Sequence, residues 1–461
     1  MPPRRPSLFG LTAPHGARAL SDRGARFRLV DLVQGRSLDV DPRELRGRRV
    51  LIATDRQLPA ALAMIQLDGI AARMVLCPPD VSREHCLEAI ADAEVDTVVS
   101  DASGPDLCQA AGRVRCFDRI VGPHGIAASP GDVDTEWVLF TSGTSGRPKL
   151  VAHTLTSLVG PLVDGVGTET KTTWTTFYDI RRYGGLTILM RALAGGGSMV
   201  VSDPDETPAE FMARAGAEAV THISGTPSHW RRALMSAATD RMSPGYVRLS
   251  GEACDQSILN ALRQAFPAAG IAHAFASTEA GFAFDVRDGR AGFPESLIGQ
   301  DGAVKLRVNN GSLHIRSPRT ASRYLGVGVA SLLDQSGYVD TGDLVELRGD
   351  RYYFHGRRDG VINVGGLKVH PEMVEAVINR HPSVRMSRVS PRANPITGSI
   401  VVAEIVTNLQ LDAGSTAFDA VKSEILGLCR DTLAAHQMPA ILRLVPSLEV
   451  AASGKMVRRR A

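Results

Sequence analysis

The residues best suited to bind a phosphate lie in one short loop, where positions 141–149 read T-S-G-T-S-G-R-P-K. Glycines in this loop allow tight turns that bring backbone N–H groups close to an anion, and hydroxyl donors and one lysine stand beside them. The apolar run 137–140 precedes the loop, so the pattern predicts a strand that ends in a phosphate-binding loop. The candidate ligands of the phosphates are Thr141, Ser142, Gly143, Thr144, Ser145, Gly146 and Lys149.

The loop differs from the G-x-x-x-x-G-K-[ST] loop of P-loop kinases and ATPases. Gly143, Gly146 and Lys149 are spaced by three residues, and Leu150 stands where Ser or Thr would hold magnesium. A P-loop enzyme is therefore disfavoured. For the loop by itself, a polar surface turn is the alternative interpretation.

The loop resembles the phosphate-binding signature of the adenylate-forming superfamily, which includes acyl-CoA synthetases, adenylation domains of nonribosomal peptide synthetases and firefly luciferase. The resemblance covers the chain from about residue 45 onward. It implies an enzyme that activates a carboxylic acid with ATP to an acyl-adenylate and passes the acyl group to a thiol. It also implies an α/β fold with a large N-terminal domain of layered α/β subdomains, 1–358, and a small mobile C-terminal α+β domain, 359–461.

A second similarity is the segment F-A-S-T-E at 275–279, which resembles the superfamily's aromatic-G-S-T-E element. It implies that Thr278 donates to the α-phosphate and that Glu279 holds Mg²⁺, a cation that binds one or two carboxylates together with phosphate oxygens. The segment S-G-E-A at 250–253 resembles the part of the superfamily that packs on adenine. The further residues expected around the nucleotide are Ser250, Gly251, Glu252, Phe275, Ala276 and Ser277.

The longest similarity spans residues 337–378. T-G-D at 341–343 resembles the ribose-binding element, in which the carboxylate, here Asp343, accepts hydrogen bonds from both ribose hydroxyls. Arg357 matches the arginine that reaches ribose and phosphate. Without the resemblance, this stretch would be a turn-rich sheet with a hairpin near 348–353.

The candidate acyl pocket departs from the superfamily pattern. Where acyl-CoA synthetases often read F-H-x-G-G-L, this chain places Arg181 and Arg182. One interpretation pairs an arginine with a second carboxylate on the substrate. The other directs both arginines to solvent or to the ATP phosphates. The remaining candidates for this pocket are Tyr178, Thr226, Pro227 and Ser228.

The C-terminal part supplies a candidate hinge and a candidate catalytic residue. Asp359 lies where the superfamily rotates its small domain between an adenylating and a thioester-forming pose, and the glycine after it permits such a rotation. S-G-K-M-V-R at 453–458 resembles the superfamily's catalytic tail, so Lys455 is expected to neutralise charge at the α-phosphate. The loop expected to meet the thiol donor contains Gly365, Gly366 and Lys368.

Alternating strand and helix patterns indicate parallel strands joined by right-handed crossovers. Strands are predicted at 50–53, 74–76 and 97–99. Helices are predicted at 59–67, 83–93 and 151–159. In the last of these, His153 is expected near the helix start as a capping or packing residue.

Composition sets broad limits. A chain of 461 residues with 44% hydrophobic and 22% charged residues is long enough for a large core. A net charge of +3, from 52 basic and 49 acidic residues, gives no reason to expect nucleic acid. Six scattered cysteines without a C-x-x-C pair indicate a reduced, cytoplasmic protein without structural zinc. The absence of a long apolar stretch predicts no membrane insertion.

The predicted function is that of an acid:CoA ligase that uses ATP, Mg²⁺ and coenzyme A on a small carboxylic acid. A close alternative loads the phosphopantetheine of a separate acyl carrier protein. An alternative of another class, a catalytically silent nucleotide-binding regulator, is disfavoured because Lys149, Thr278, Glu279, Asp343, Arg357 and Lys455 are all present. Aryl, short acyl, dicarboxylic and amino acids all stay open as substrates.

Overall fold

The strands of this chain are mostly short runs rich in Val, Ile and Leu, the residue types that suit a buried sheet. The computed structural model describes residues 7–8, 10, 18–101, 107, 112–121, 133–141, 148–160, 172–326, 331–451 and 453–457. The strands are β1 (Ala19–Ser21), β2 (Arg26–Arg28), β3 (Arg49–Ile52), β4 (Arg73–Leu76), β5 (Thr97–Ser100), β6 (Gly112–Arg115), β7 (Glu136–Phe140), β8 (Leu150–Thr154), β9 (Thr173–Thr176), β10 (Ser198–Val200), β11 (His222–Gly225), β12 (Tyr246–Ser250), β13 (Gly270–Ser277), β14 (Gly281–Val286), β15 (Phe293–Pro294), β16 (Lys305–Asn309), β17 (Ser312–Arg316), β18 (Arg323–Leu325), β19 (Val339–Arg348), β20 (Arg351–Arg357), β21 (Ile362–Val364), β22 (Leu367–Val369), β23 (Val384–Asn394), β24 (Gly398–Thr407) and β25 (Ile441–Leu444).

Several helices begin after a Ser, Thr or Asp whose side chain accepts a backbone N–H of the first turn, as at Ser82, Thr154 and Asp255. The helices are α1 (Asp31–Gln34), α2 (Gln57–Leu67), α3 (Arg83–Asp92), α4 (Leu155–Val159), α5 (Tyr183–Ala194), α6 (Pro208–Ala217), α7 (Pro227–Leu234), α8 (Gln256–Ala265), α9 (Pro371–Ile378) and α10 (Thr416–Thr432).

Two large sheets organise the N-terminal part. One has the strand order β18-β8-β7-β4-β3-β5-β6, and the other has the order β14-β13-β12-β11-β9-β10-β1-β2. Helix α2 is apolar apart from Gln57 and Gln66, and all of its residues are buried. It shares one core with α5 and with the facing sides of both sheets, so these helices form a middle layer. Helix α3 covers the outer face of the first sheet, and α6, α7 and α8 cover that of the second.

The parallel strands β11, β12 and β13 bring the loops that follow them to one edge of the second sheet. Thr226 follows β11, Gly251 follows β12 and Thr278 follows β13. Open α/β sheets bind ligands at the carboxyl ends of their strands. This edge is therefore where the candidate residues are expected to meet.

The C-terminal part has its own layers. An antiparallel sheet of order β15-β20-β19-β17-β16 precedes it. Beyond this sheet lie the hairpin β21–β22 and the three-stranded sheet β23-β24-β25, against which α9 and α10 pack. Their shared core runs from Ile362 to Leu444 in the sequence and is separate from the core of the large sheets.

The predicted fold class is confirmed: a large N-terminal layered α/β part is joined to a smaller C-terminal part. The predicted strands and helices between residues 50 and 99 are present within two residues of their expected bounds. The prediction for 151–159 is wrong in its first half. Residues 150–154 form β8, which pairs antiparallel with β7, and only Leu155–Val159 is helical. His153 therefore lies in a strand.

Candidate active site

The ribose candidates Asp343 and Arg357 face each other on β19 and β20. The two residues are directly paired in the antiparallel register, and Arg357 Nη2 donates to the Thr341 carbonyl at 3.4 Å. Gly342, the residue before Asp343, has a φ of +69°, a backbone conformation that favours glycine. Burial raises the pKa of the half-buried Asp343 carboxyl, although the charges of Arg357 and Lys455 act in the opposite direction.

Lys455 reaches the same place from the C-terminal tail. Its charge acts on Asp343, and its Cε lies 3.6 Å from the position that a Cβ on Gly251 would occupy. The Lys455 side chain is exposed to solvent. A residue separated by more than 100 positions from Asp343 is thus brought to the edge of the second sheet.

The tail is held there by two polar side chains, Thr226 and Glu252, which we name the tail latch. Thr226 Oγ1 donates to the Gly454 carbonyl at 2.6 Å. The Glu252 carboxylate accepts from Met456 N at 2.9 Å and, through its other oxygen, from Ser228 N at 2.9 Å. Because Ser228 lies in the first turn of α7, Glu252 connects the start of that helix to the tail.

Gly454 fits closely against the half-buried His229 ring. Its φ of +76° favours glycine, and a Cβ at this position would overlap the imidazole. The ring stacks on Phe177 with centroids 5.3 Å apart. Burial, with a smaller contribution from Arg232, lowers the pKa of His229 to about 3, so the ring is neutral near pH 7.

Thr278 is positioned by His153. The imidazole Nε2 lies 2.7 Å from the Thr278 carbonyl, and Nδ1 lies 3.0 Å from Ser157 Oγ. Since a carbonyl oxygen only accepts, Nε2 must carry the proton. Burial lowers the pKa of His153 to about 4, so the ring is neutral and fixes the backbone of the β13–β14 loop. His153 therefore has the expected packing role, but it lies in a strand and not at the start of a helix.

Glu279 and Lys149 both approach Tyr324. The Tyr324 hydroxyl is 3.5 Å from Glu279 Oε1, and Lys149 Nζ lies 5.0 Å from the centre of its ring. Burial and Glu279 raise the pKa of Tyr324 to about 12. Sequence reasoning missed Tyr324, because no motif marks β18 and its pairing with β8 is not visible in the sequence.

The loop between β7 and β8 is described only at its base, where Thr141 N donates to the Lys149 carbonyl at 2.9 Å. Lys149 is exposed and is the last residue of the loop before β8. The expected phosphate ligands Ser142, Gly143, Thr144, Ser145 and Gly146 lie outside the described residues.

The structure also describes the aromatic and small residues that are expected around a nucleotide. Phe275 stacks on Phe354 of β20 with centroids 5.1 Å apart and rings 6° from parallel. Ser277 Oγ accepts from Ala280 N and closes the loop that carries Thr278. Gly251 has a φ of +87° and lies beside the Tyr178 hydroxyl.

Arg181 does not face solvent, phosphate or an acyl pocket. Its guanidinium is 1% exposed and forms a two-point ion pair with Asp179, with Nη2 2.6 Å from Oδ2. The other donors reach the Thr54 side chain and the carbonyls of Thr54 and Asp55. Both interpretations of Arg181 are therefore wrong: the arginine joins the loops after β3 and β9.

Arg182 is also engaged within the protein. Its Nη2 lies 2.6 Å from Asp80 Oδ2, and the side chain is mostly buried at the start of α5. Tyr178 is buried as well, and its hydroxyl donates to the Ser250 carbonyl at 2.6 Å. Thr226, Pro227 and Ser228 form the cap and first turn of α7. Thr226 belongs to the tail latch, and Ser228 N donates to its other member, Glu252.

A cleft lies beside this cluster, between α5, β12 and the β13–β14 hairpin. It is narrow and partly open to solvent. Ser250 and Ala276 of the sequence-derived candidates line it, but its three arginines were not expected. The lining residues are Leu158, Tyr183, Gly184, Thr187, Arg191, Arg248, Ser250, Ala276, Phe282 and Arg319.

The candidate hinge and thiol-side residues are exposed. Asp359 lies in a single 3₁₀ turn, Arg358–Gly360, between β20 and β21. Gly365 and Gly366 have φ values of +58° and +86° and form the tight turn of the hairpin β21–β22. Lys368 follows on β22. Their proposed roles depend on a second pose and stay predictions.

Comparison with known proteins identifies the family of this chain. A family model described as AMP-binding enzyme matches residues 45–325, and one described as AMP-binding enzyme C-terminal domain matches residues 373–455. The first match alone covers more than half of the chain, so the chain belongs to the AMP-binding enzyme family. The predicted recognition is thereby confirmed.

Individual relatives are distant. The 2-succinylbenzoate–CoA ligase of Bacillus velezensis is 24% identical over 86% of this chain and 79% of its own length. A syringomycin synthase of Pseudomonas syringae is 23% identical over 89% of this chain and 72% of its own. A crystal structure of an anthranilate CoA ligase with anthranoyl-AMP shares the fold at 17% identity, with a TM-score of 0.80 over 98% of this chain and 96% of that one.

Proposed function

We propose that this chain activates a carboxylic acid with ATP, releases pyrophosphate and transfers the acyl group of the resulting acyl-adenylate to coenzyme A. The observation that carries the proposal is the approach of Lys455 to Asp343, with Glu279 and Lys149 joined to the same region through Tyr324. The names of the relatives, which include 2-succinylbenzoate–CoA ligases, support coenzyme A as the acceptor.

The nucleotide would be held by β13, β19 and β20. Asp343 would accept hydrogen bonds from the two ribose hydroxyls, and Arg357 on the opposite strand would donate to ribose and phosphate. Phe275 and Phe354 stack on each other in the strands that lead to Thr278 and Arg357, and they would supply apolar contact to an adenine ring.

The first step is attack of a substrate carboxylate oxygen on the α-phosphorus of ATP. A new bond forms between that oxygen and phosphorus, and the bond to the pyrophosphate oxygen breaks. The carboxylate is already ionised near pH 7, so no general base is required. Lys455 and the Thr278 hydroxyl would stabilise charge on the α-phosphate, and Lys149 would stabilise charge on the leaving pyrophosphate.

The donor set at Glu279 fits Mg²⁺. Among the described residues, the half-buried Glu279 carboxylate has a single long contact, from Tyr324 at 3.5 Å, so its oxygens are available to a cation. Mg²⁺ binds well to one carboxylate together with phosphate oxygens. When bound, it would neutralise phosphate charge.

The second step requires access for a thiol. We place the boundary between domains 1–358 and 359–461, with rotation about Asp359, because the core beginning at Ile362 is separate and only a short turn joins it to β20. Rotation would remove Lys455 and bring Gly365, Gly366 and Lys368 to the acyl-adenylate. The thiolate would then attack the acyl carbon, and AMP would leave.

Compartment and partners are only partly constrained. The described cysteines are all free thiols, which is compatible with the expected cytoplasmic location. Within the described ranges, no helix has the length and apolar content needed to cross a bilayer. An acyl carrier protein as acceptor stays the alternative to coenzyme A.

The test is a panel of carboxylic acids assayed for pyrophosphate release, with and without coenzyme A. We expect acid-dependent pyrophosphate in a single burst without coenzyme A and continuous release with it. Release of inorganic phosphate would indicate a kinase or ATPase instead. A lack of release with every acid would favour the silent nucleotide-binding regulator, and turnover only with a phosphopantetheinylated carrier would favour the alternative acceptor.

Glu252→Ala should weaken adenylation selectively. The change removes the acceptor of Met456 N, so the tail carrying Lys455 is held less firmly. Hydrogen bonds to charged groups contribute about 1.5–3 kcal/mol, which corresponds to roughly a tenfold or larger fall in the rate of adenylate formation. Thioester formation from supplied acyl-adenylate should be unchanged. The control is Glu424→Ala, which removes the charge of an exposed carboxylate that pairs with His381. An equal fall in both half-reactions would contradict the latch role.

The raised pKa of Asp343 should appear in nucleoside binding. Because ribose hydroxyls donate to the ionised carboxylate, affinity should fall as the pH drops through the raised pKa, at higher pH than for an ordinary aspartate. Calorimetric titration with adenosine isolates this effect, since adenosine has no phosphates to titrate. Asp343→Asn should bind more weakly and lose that pH dependence. A wild-type profile that matches the variant's would contradict the assignment.

A further inference from the structure

The cleft beside the nucleotide candidates is unusually rich in arginine. Gly184, Thr187 and Arg191 line it from α5, where a spacing of three and four residues places them on one helix face. Arg248 enters from β12, and Arg319 enters from the segment after β17. Three cationic side chains from distant parts of the chain therefore meet in one cleft.

The three guanidinium groups surround a single aromatic ring. The Cζ atoms of Arg191, Arg248 and Arg319 lie 5.5, 5.2 and 4.7 Å from the centre of Phe282. The ring face attracts cations, but only weakly compared with a carboxylate. The arrangement gathers positive charge without neutralising it.

Among the described residues, one carboxylate offsets this charge. Asp285 Oδ1 lies 3.1 Å from Arg248 Nη2 and also accepts from Arg248 Nε at 3.2 Å. Arg191 and Arg319 have no ion pair within the described ranges. One negative charge therefore faces at least three positive charges.

Arg319 is the clearest unsatisfied group. The residue is 9% exposed, and its Nε and Nη1 are buried without a hydrogen-bond partner among the described residues. Burial lowers the pKa of Arg319, and burial together with the charge of Arg248 lowers that of Arg191 to about 10. A buried guanidinium without a partner is costly, so the site is suited to an anion that enters the cleft.

Two lining residues of the cleft adjoin the candidate reaction centre along the chain. Ser250 lines the cleft and precedes Gly251, which lies beside Lys455 Cε. Ala276 lines it and lies two residues before Thr278. An acid bound along these two segments would have one end near Lys455 and Thr278 and the other among the arginines.

We infer that the acid activated by this chain is a dicarboxylic acid, whose second carboxylate is bound by Arg319, Arg191 and Arg248. This inference rests on the proposed function and names the substrate class of the same site. A second carboxylate supplies the acceptor that Arg319 Nε and Nη1 lack, and a planar guanidinium can bind it at two points. A plain fatty acid would leave these donors unpaired.

The test compares acids that differ by one carboxylate, with pyrophosphate release as the readout. The pairs are 2-succinylbenzoate with 4-oxo-4-phenylbutanoate, and adipate with hexanoate. We expect wild-type protein to have a kcat/KM at least about tenfold higher for one diacid than for its matched monoacid. Arg319→Gln and Arg191→Gln should each remove this preference by raising KM for the diacid, while the monoacid is used as before.

Arg287→Gln is the matched control, because Arg287 also pairs with Asp285 but its side chain is 69% exposed. It should leave the preference intact. Preference for a monoacid in wild type, or an equal loss of preference in Arg287→Gln, would overturn the inference while leaving the proposed function standing. Absence of pyrophosphate with every acid would instead overturn the proposed function. Arg191, which is only partly buried, keeps the test informative if Arg319→Gln does not fold.

Discussion

Lys455→Ala should reduce adenylate formation at least about 100-fold and leave thioester synthesis from supplied acyl-adenylate largely intact. The lysine is the cation that the tail brings to Asp343, and removing one preorganised group that stabilises transition-state charge costs about 10²–10³ in rate. The measurement is single-turnover formation of acyl-adenylate, with the second half-reaction followed separately by addition of synthetic acyl-adenylate and coenzyme A.

Lys368→Ala is the matched control for this experiment. Both lysines are exposed and both belong to the C-terminal part, so the two variants lose the same charge from the same unit. Since Lys368 is expected at the thiol side, its loss should affect thioester formation more than adenylation. Equal loss of both half-reactions in Lys455→Ala would show that the lysine has another role, such as holding the two parts of the chain together.

The sequence predicts best those features that depend on backbone chemistry. The strand before the phosphate loop, the carboxyl ends of β12 and β13, and the T-G-D bend at Gly342 all follow from local patterns of apolar residues, glycine and hydroxyls. These patterns are short, but they recur in a fixed order in one superfamily. The family membership, the fold class and the residues around Asp343 could therefore be anticipated.

Features that depend on tertiary contacts could not be predicted. Arg181 lies next to a family motif, yet it is buried in an ion pair with Asp179, two residues earlier. The possibility of a second substrate carboxylate was anticipated, but the arginines that could bind it lie on α5, on β12 and after β17. Nothing in the sequence shows that Arg191 and Arg319 face the same ring. Contacts between side chains of distant segments can be predicted only once the sheet register is known.

Gly454→Ala should impair adenylation to nearly the same extent as loss of the lysine beside it. A Cβ at this position would overlap the His229 ring, which belongs to α7 and is stacked on Phe177, so the ring cannot move aside without disturbing that helix. The tail would have to leave the latch, and Lys455 would leave with it. We expect a fall of about 100-fold in adenylate formation, of the size seen when a catalytic group is misplaced. Thioester formation from supplied acyl-adenylate should persist, because the second half-reaction does not require the docked tail.

Gly398→Ala separates this steric effect from backbone strain. Gly398 has a φ of +73°, close to the +76° of Gly454, but a Cβ there would meet nothing within 4 Å. Both variants therefore carry the penalty of a left-handed conformation, about 1–2 kcal/mol, and only Gly454→Ala adds the overlap with His229. If the two variants lose adenylation equally, strain in the C-terminal part explains the loss. A different result would support the docking of the tail: only Gly454→Ala loses adenylation, and adding His229→Ala restores adenylation because it makes room for the new Cβ. Docking of the tail against α7 would then be what brings Lys455 to the reaction.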